Sequence, residues 1–139
     1  MTFPRLKFLF LIFAAAFITN VIWETLHSLL YVSYKSYPIT EFILLRAALV
    51  DALIITLLAL PFIKYNFLGK RLWLILPFGV LMSTVIEIWA LQTGRWVYDM
   101  SMPIVPFLNV GLSPAIQLGV LSYIIYFYVF RYVGYNEKT

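Results

Sequence analysis

Four long apolar runs, separated by short polar connections, dominate the pattern of the chain. They extend over about residues 6–30, 42–63, 72–91 and 112–133. Each run reaches the roughly 20 residues that a helix needs to cross the hydrocarbon core of a bilayer. No polar stretch between them is long enough for a separate soluble domain. The pattern predicts an all-α, polytopic membrane protein whose residues 1–139 form one domain, with four transmembrane helices in an up-down bundle.

Composition supports this fold class and excludes several kinds of function. Hydrophobic residues make up 63% of the 139 residues and charged residues only 12%, whereas soluble domains carry roughly 25% charged residues. The net charge of +4 is scattered along the chain, so the clustered basic face that nucleic-acid binding requires is missing. Cysteine is absent, which excludes disulfides and thiolate metal sites. We expect no bound cofactor.

The basic residues predict how the helices cross the membrane. Four spans put both termini on one side, and that side holds most of the positive charge: Arg5, Lys7, Lys64, Lys70, Arg71, Arg131 and Lys138. The other side holds Lys35, Arg95 and Arg46. Because short cytoplasmic loops carry the excess of Lys and Arg, we predict a multi-pass protein of the cell membrane with both termini in the cytoplasm.

The first apolar run imitates a secretory signal. Arg5 and Lys7 precede an apolar stretch that contains three consecutive alanines at residues 14–16, an arrangement also found before signal cleavage sites. The run continues past these alanines to Tyr31. We therefore expect an uncleaved first span, and a frayed polar tail after the fourth span, at residues 134–139.

Three acidic residues and the only histidine lie inside apolar runs. They are Glu24, His27, Asp51 and Glu87. A charged side chain near the bilayer centre costs roughly 2.5–3.5 kcal/mol, and such residues pair with one another or face a cavity. With the predicted orientation, most of them fall in the outer half of the bilayer. We predict that they converge on one polar pocket that opens toward the non-cytosolic face.

The spacing of polar residues predicts which helix faces line this pocket. Asn20, Glu24, His27 and Tyr31 are separated by 4, 3 and 4 residues, which places them on one stripe of a helix. In the third span, Glu87 follows two small residues, Gly79 and Ser83, at the same spacing of 4. These small residues would let a neighbouring backbone approach closely.

The second and fourth spans each contribute one polar residue to the predicted pocket. Gln117 shares a face with Ser113, about a turn and a half below the start of the fourth span. Asp51 lies near the middle of the second span. Arg46 is five residues before Asp51, so we predict that it points elsewhere and extends its charge toward the headgroups.

Each ionisable residue has a functional and a structural interpretation. Glu24 and His27 form either a paired site with a titratable imidazole or a hydrogen bond between helices. Asp51 either handles a proton or is a neutral acid that bonds another helix. Glu-x-x-His is also half of the di-iron bundle motif, and the four residues offer one nitrogen and three oxygen ligands. A second Glu-x-x-His is missing, and we expect no metal.

The segment from Glu87 to Tyr98 has the most motif-like sequence. Gly94 permits a tight turn after the third span, and Trp96 and Tyr98 are suited to the headgroup layer. Arg95 is placed to reach Glu87, Glu24 or an anionic ligand. An ordinary interfacial hairpin with aromatic anchors explains the same residues. Pro114 fits the first turn of the fourth span.

This segment resembles the lycopene cyclase domain of small polytopic carotenoid enzymes, and is also similar to carotenoid hydratase-type membrane proteins. The resemblance covers about 30 of the 139 residues, from the acid Glu87 through Gly94-Arg95-Trp96-Val97-Tyr98 to Gln117. The Pro-x-Glu-Glu element of the family reads Pro114-Ala115-Ile116-Gln117 here. The resemblance implies acid-catalysed chemistry by a cyclase, isomerase or hydratase, with Glu87 or Asp51 as the acid and Trp89 and Trp96 near the reacting chain.

These observations favour an outward-facing pocket that binds a membrane lipid or an isoprenoid-like ligand. We predict catalytic roles for Glu87, Asp51, Glu24 and His27. We predict ligand contacts for six further residues: Asn20, Trp89, Arg95, Trp96, Tyr98 and Gln117. Two alternatives remain, a non-enzymatic partner or assembly factor for another membrane protein, and a small proton-linked carrier, which would have to form a homo-oligomer.

Overall fold

Four long helices cross the membrane in alternating directions. The computed structural model describes the backbone of residues 3–132 and the side chains of residues 6–132. The long helices are α1 (Phe3–His27), α2 (Glu41–Lys64), α4 (Ile75–Gln92) and α5 (Leu112–Tyr132), and a single turn, α3 (Asn66–Gly69), lies between α2 and α4. Short 3-10 turns, Ser28–Leu30 and Leu72–Leu74, complete the first and third spans.

The predicted four-span, all-α architecture is confirmed. The spans Leu6–Leu30, Glu41–Lys64, Leu72–Gln92 and Leu112–Tyr132 are long and apolar enough to cross a membrane, and their bounds differ from the predicted ones by at most one residue at each end. The predicted end of the fourth span at Val133 and the polar tail at residues 134–139 lie outside the described residues, as do the side chain of Arg5 and the whole of Lys138.

Short strands join the connections at one end of the bundle. Strand β1 (Tyr31–Tyr34) follows α1 and pairs antiparallel with β2 (Trp96–Tyr98), which follows α4. A second pair, β3 (Ile104–Val105) and β4 (Val110–Gly111), precedes α5. We call this end the strand-bearing end. These segments were predicted to be loops, because a strand of four residues or fewer leaves little periodicity to detect.

Helix α5 lies at the centre of the bundle. It packs against α1, α2 and α4, whereas α1 packs mainly against α2 and α5. Burial of the spans reflects this central position. Half of the residues in the apolar stretch of α5 are buried, compared with 22–28% in the other three spans. Helices α2 and α4 are not among the extensively packed pairs. A gap is therefore left between them on one side of α5.

Alanines bring α1 and α2 together. Ala48, Ala52 and Ala59 of α2 are fully buried, and so are Ile12 and Ala16 of α1. Without a hydrophobic driving force between helices in lipid, close packing of small residues supplies much of the attraction. The fully buried Tyr126 side chain of α5 donates a hydrogen bond to the backbone carbonyl of Ile55, which ties the central helix to α2.

Glycines bring α4 and α5 together, as the small residues of the third span predict. A Cβ atom added at Gly79 would lie 2.5 Å from the backbone nitrogen of Gly119, so the two backbones are in contact. The Ser83 hydroxyl donates to the carbonyl of Gly79 at 2.9 Å and accepts from the N–H of Leu118 at 3.1 Å. This contact fixes the position of α4, which carries Glu87 on the same stripe.

The outer surface of the spans is apolar. Large side chains that are more than half exposed include Phe10, Ile18, Leu57, Phe78 and Leu81. A soluble protein would bury most of these, whereas acyl chains solvate them at no cost. The exposed faces of the four spans are therefore the surface that contacts lipid.

Candidate functional site

A cavity of about 190 Å³ occupies the gap between α2 and α4, near the strand-bearing end. Its floor is formed by α1 and α5, and residues of β1 and β2 lie over it. The position follows from the buried stripes. On α1 the stripe passes from Ile12 and Ala16 to Asn20 and Glu24. The buried stripe of α4 likewise becomes polar toward this end. The spacing thus directs polar groups into one end of the core.

Gln117 joins three helices at the floor of the cavity. Its Nε2 atom lies 2.7 Å from Glu24 Oε1, 2.8 Å from Asp51 Oδ2 and 3.0 Å from Asn20 Oδ1. We call these four side chains the amide cluster. Three oxygens share the two hydrogens of one amide, so the amide alone cannot satisfy them.

The Glu24 and Asp51 carboxyl groups lie side by side, since both approach the same Gln117 Nε2 atom. Like charges at this distance repel strongly in a medium of low dielectric constant. Their proximity therefore favours a pair that holds one proton, as carboxyl dyads do. Both side chains line the cavity.

A second group, the tyrosine cluster, surrounds Glu87. Glu87 Oε1 accepts hydrogen bonds from the hydroxyls of Tyr98 at 2.6 Å and Tyr31 at 3.1 Å. The Tyr98 hydroxyl in turn accepts from the N–H of Gly111 at 2.8 Å. Tyr31 and Tyr98 are brought together by the strands, since they are opposite each other in the β1–β2 pair. The Glu87 carboxyl thus receives two phenol donors.

The two tyrosines lie beyond the ends of the spans and remain neutral donors. Burial raises the pKa of Tyr31, and the neighbouring Glu87 raises it further. Burial and the hydrogen bond with Glu87 raise the pKa of Tyr98. An ordinary phenol already titrates near pH 10. Both hydroxyls therefore keep their hydrogens across the physiological range and continue to donate to Glu87.

The hydrogen bonds of Tyr31 determine the tautomer of His27. The His27 Nε2 atom lies 3.0 Å from the Tyr31 hydroxyl. Because that hydroxyl gives its single hydrogen to Glu87, Nε2 must be the donor in this contact. The Nδ1 atom is buried and has no hydrogen-bond partner, and it lies 3.9 Å from Glu24 Oε2. A basic nitrogen is thus left at the edge of the amide cluster, within the cavity.

Aromatic rings and two arginines form the side of the cavity nearest the strand-bearing end. The Trp96 ring packs against Tyr31 and Tyr34, with centroids 4.9 Å and 4.7 Å away. The Arg95 guanidinium lies 4.3 Å from the centroid of Trp89. Arg95 Nη1 and Arg46 Nη2 both approach the Tyr34 hydroxyl, at 3.3 Å and 2.6 Å.

Arg46 extends toward the headgroup end of α2, as predicted, since its Nη2 atom lies 2.6 Å from the Tyr34 hydroxyl on β1. It nevertheless lines the same cavity as Asp51, together with Ala47 and Val50, because the gap between α2 and α4 exposes a broad face of α2. Of the partners expected for Arg95, neither Glu87 nor Glu24 is contacted, and its guanidinium approaches the Tyr34 hydroxyl instead.

The structure brings most of the predicted site residues to this cavity. Its lining includes eight of the ten: Glu24, His27, Asp51, Glu87, Trp89, Arg95, Trp96 and Gln117. Asn20 and Tyr98 lie behind the lining and hydrogen bond to Gln117 and Glu87. Tyr34 was not among the predicted site residues, because its position depends on the strand pairing. The predicted helical stripe stops at His27, and Tyr31 instead begins β1, although its hydroxyl still lies 3.0 Å from His27 Nε2.

The four ionisable residues do not form a ligand sphere for a metal. Among the described residues, no group of three or more histidine and acidic side chains is arranged to hold a metal ion. Glu24 and Asp51 belong to the amide cluster and Glu87 to the tyrosine cluster, with His27 between them. The arrangement can hold, accept and donate protons at the wall of a small, partly apolar cavity.

No protein-family model, curated protein or solved structure matches the chain. Its function is therefore inferred from the chemistry of the cavity.

Proposed function

We propose that this protein takes one end of an isoprenoid-like lipid into the cavity and isomerises or cyclises it by acid–base chemistry. The observation that carries the proposal is the Glu24–Asp51 pair, which shares the Gln117 amide, with the unpartnered Nδ1 of His27 beside it. A proton donor and a proton acceptor thus share one wall of a cavity in the membrane.

The route into the cavity supports a lipid ligand. Val50 of α2 and Trp89 of α4 both line the cavity, and they are 49% and 50% exposed. Both lie within spans, so this exposed side of the cavity faces acyl chains rather than water. The apolar residues Ile43, Leu44 and Ile86 line other parts of the wall. A molecule already dissolved in the bilayer reaches the acids by this route without crossing a polar layer.

The size of the cavity limits what enters it. A cavity of about 150 Å³ holds a benzene ring, and this one measures about 190 Å³. It therefore accommodates one ring or one short branched unit, and the rest of a long chain stays between α2 and α4. An end group is the part of an isoprenoid where a ring closes or a double bond moves.

The proposed reaction begins with proton transfer from the Glu24–Asp51 pair to one carbon of a double bond. A neutral carboxylic acid in a dry site is suited to this step. The positive charge that forms on the neighbouring carbon is stabilised by the faces of Trp89 and Trp96 and by the Glu87 carboxyl. Loss of a proton from an adjacent carbon to His27 Nδ1 regenerates a double bond. The proton then returns to the carboxyl pair, so no oxidant or co-reactant is needed.

The resemblance of residues 87–117 to the lycopene cyclase domain supports the same class of chemistry. Of the two acids that the resemblance suggests, only Glu87 lies in that segment. The hydrogen bonds favour a different assignment of the acid. Glu87 already accepts two phenol hydrogens, an arrangement that suits an ionised carboxylate. We therefore assign proton donation to the Glu24–Asp51 pair and charge stabilisation to Glu87.

We further propose that the strand-bearing end faces the non-cytosolic side of the cell membrane. The described basic residues at the opposite end are Lys7, Lys64, Lys70, Arg71 and Arg131, against Lys35, Arg46 and Arg95 near the strands. The positive-inside rule favours this orientation.

Deuterium transfer from solvent tests the proposed reaction. Membranes that contain the protein are incubated in D₂O, and extracted isoprenoid lipids are analysed by mass spectrometry. A carboxyl that exchanges with solvent delivers deuterium to carbon, so we expect one lipid species to gain mass with the native protein. The Asp51→Asn variant should lose this gain, and Glu41→Gln, which changes an exposed carboxyl at the start of α2, should keep it. Equal labelling with native protein and Asp51→Asn would refute the proposal.

A further inference from the structure

Two cations converge on one neutral oxygen at the edge of the cavity. Arg46 Nη2 lies 2.6 Å and Arg95 Nη1 3.3 Å from the Tyr34 hydroxyl oxygen. Among the described side chains, neither guanidinium makes an ion pair, and the one contact between a basic and an acidic group joins His27 to Glu24. Two like charges this close repel each other, and a phenol oxygen does not neutralise them. An anion bound between them would.

We propose that Arg46, Arg95 and Tyr34 bind the phosphate group of a phosphorylated isoprenoid lipid. The three side chains come from α2, the turn after α4, and β1, so their convergence depends on the tertiary fold rather than on one local motif. Tyr34 is 8% exposed and accepts both arginine bonds. Its own hydroxyl hydrogen has no acceptor among its contacts in the described residues and remains free to donate to a phosphate oxygen.

The charge of the site favours a phosphate over a carboxylate. A phosphate monoester carries about −1.5 to −2 charges at neutral pH, which balances two guanidinium groups, whereas a carboxylate balances one. Arginine presents paired N–H donors that match two oxygens of a phosphate. Each guanidinium makes one hydrogen bond to Tyr34 and keeps further N–H groups that can donate to a phosphate.

The depth of the site matches the headgroup layer. Arg95 follows the end of α4 at Gln92 by three residues, and Arg46 follows the start of α2 at Glu41 by five. At 1.5 Å per residue, Arg46 begins about 8 Å inside the span, and its long side chain reaches back to Tyr34 on β1. Stacking on Trp89 holds the Arg95 guanidinium over the opening between α2 and α4.

Both arginines line the same cavity as the Glu24–Asp51 pair. A ligand with its phosphate at Tyr34 therefore extends its first apolar carbons toward the two clusters. The inference rests on the proposed function for the identity of the apolar part. The anion site itself depends only on the contacts of Arg46, Arg95 and Tyr34.

Binding of matched probes tests the site. The purified protein in detergent is titrated with a C20 isoprenoid monophosphate, with the corresponding free alcohol and with inorganic phosphate. Intrinsic tryptophan fluorescence, to which Trp89 and Trp96 in the cavity lining contribute, reports binding. We expect the monophosphate to bind at least tenfold more tightly than the alcohol. The Arg46→Gln/Arg95→Gln double variant should lose this preference. Arg46→Lys keeps the charge but not the paired N–H donors of a guanidinium, and it should lose part of the preference. Lys70→Gln removes an exposed charge from the opposite end of the bundle and should change affinity less than twofold.

Three further outcomes decide the inference. Asp51→Asn should keep the preference for the monophosphate even if it abolishes deuterium transfer, which separates this inference from the proposed reaction. Equal affinity of the native protein for monophosphate and alcohol would overturn it. Tight binding of inorganic phosphate that depends on the two arginines, with no tighter binding of the lipid monophosphate, would also overturn the inference. That result would assign the site to a free anion. Thermal unfolding of each variant identifies any that fail to fold, and for these Tyr34→Phe provides a second measurement of the same preference.

Discussion

The side-chain amide of Gln117 lies 2.8 Å from the carboxyl group of Asp51, and this contact joins the central helix α5 to α2 within the membrane. Replacing Gln117 with Leu removes the side-chain amide that donates hydrogen bonds to the Glu24 and Asp51 carboxyl groups. Hydrogen bonds between helices in membranes contribute about 1–2 kcal/mol or less each, and the two hydrogens of this amide are shared among three oxygens. We expect Gln117→Leu to lower the unfolding temperature in detergent clearly more than Gln92→Leu, at the exposed end of α4. Similar unfolding temperatures would show that the amide cluster contributes little to stability.

The contact between Gly79 and Gly119 predicts a strong effect of added bulk. A side chain at Gly79 meets backbone atoms of α5, which cannot rotate away as a flexible side chain can. Overpacking of this kind costs about 1–3 kcal/mol or more. We expect Gly79→Val to reduce the yield and the unfolding temperature of the purified protein. Leu81→Phe, which adds volume on the lipid-facing side of the same helix, should leave both nearly unchanged. The opposite ranking would contradict the assigned helix contact.

The tyrosine cluster predicts loss of stability at alkaline pH. Burial raises the pKa of Tyr31 in the folded protein above the value of about 10 expected in the unfolded chain. The stabilisation is complete below pH 10 and is lost as the pH rises above it, because only the unfolded chain releases the phenol proton. We expect the unfolding temperature to fall above about pH 10, and to fall less steeply for Tyr31→Phe. Tyr37→Phe, at an exposed position, should reproduce the steep native dependence.

The proposed orientation predicts a pattern of chemical labelling. Because the chain has no cysteine, a single introduced cysteine gives an unambiguous signal with a membrane-impermeant maleimide. We expect Ser36→Cys, beyond β1, to be labelled in intact cells, and Lys70→Cys, between α3 and α4, only after the cells are opened. The reverse result would place the strand-bearing end in the cytoplasm.

Much of the fold and part of the candidate site were predictable from the sequence. The four spans followed from uninterrupted apolar runs, whose lengths are set by the thickness of the bilayer. The stripe of Asn20, Glu24 and His27 followed from helical spacing, which fixes direction within one helix. Gly79 and Ser83 predicted a close helix contact because their side chains occupy little space.

Other features depend on relationships between distant parts of the chain. Strands β1 and β2 are short and far apart in sequence, so neither their pairing nor the position of Tyr34 can be read from local periodicity. The separation of α2 and α4 results from how all four helices pack around α5. That separation widens the face of α2 that reaches the cavity, and for this reason both Arg46 and Asp51 line it.

The sideways opening between α2 and α4 has a consequence for how occupancy is measured. A molecule that reaches the acids by this route stays dissolved in the bilayer, so its mole fraction in the membrane, and not its aqueous concentration, governs saturation. Adding detergent dilutes that phase even when the total amount of ligand is constant. Affinities measured at different ratios of detergent to protein should therefore differ, and should agree once they are expressed per mole of amphiphile.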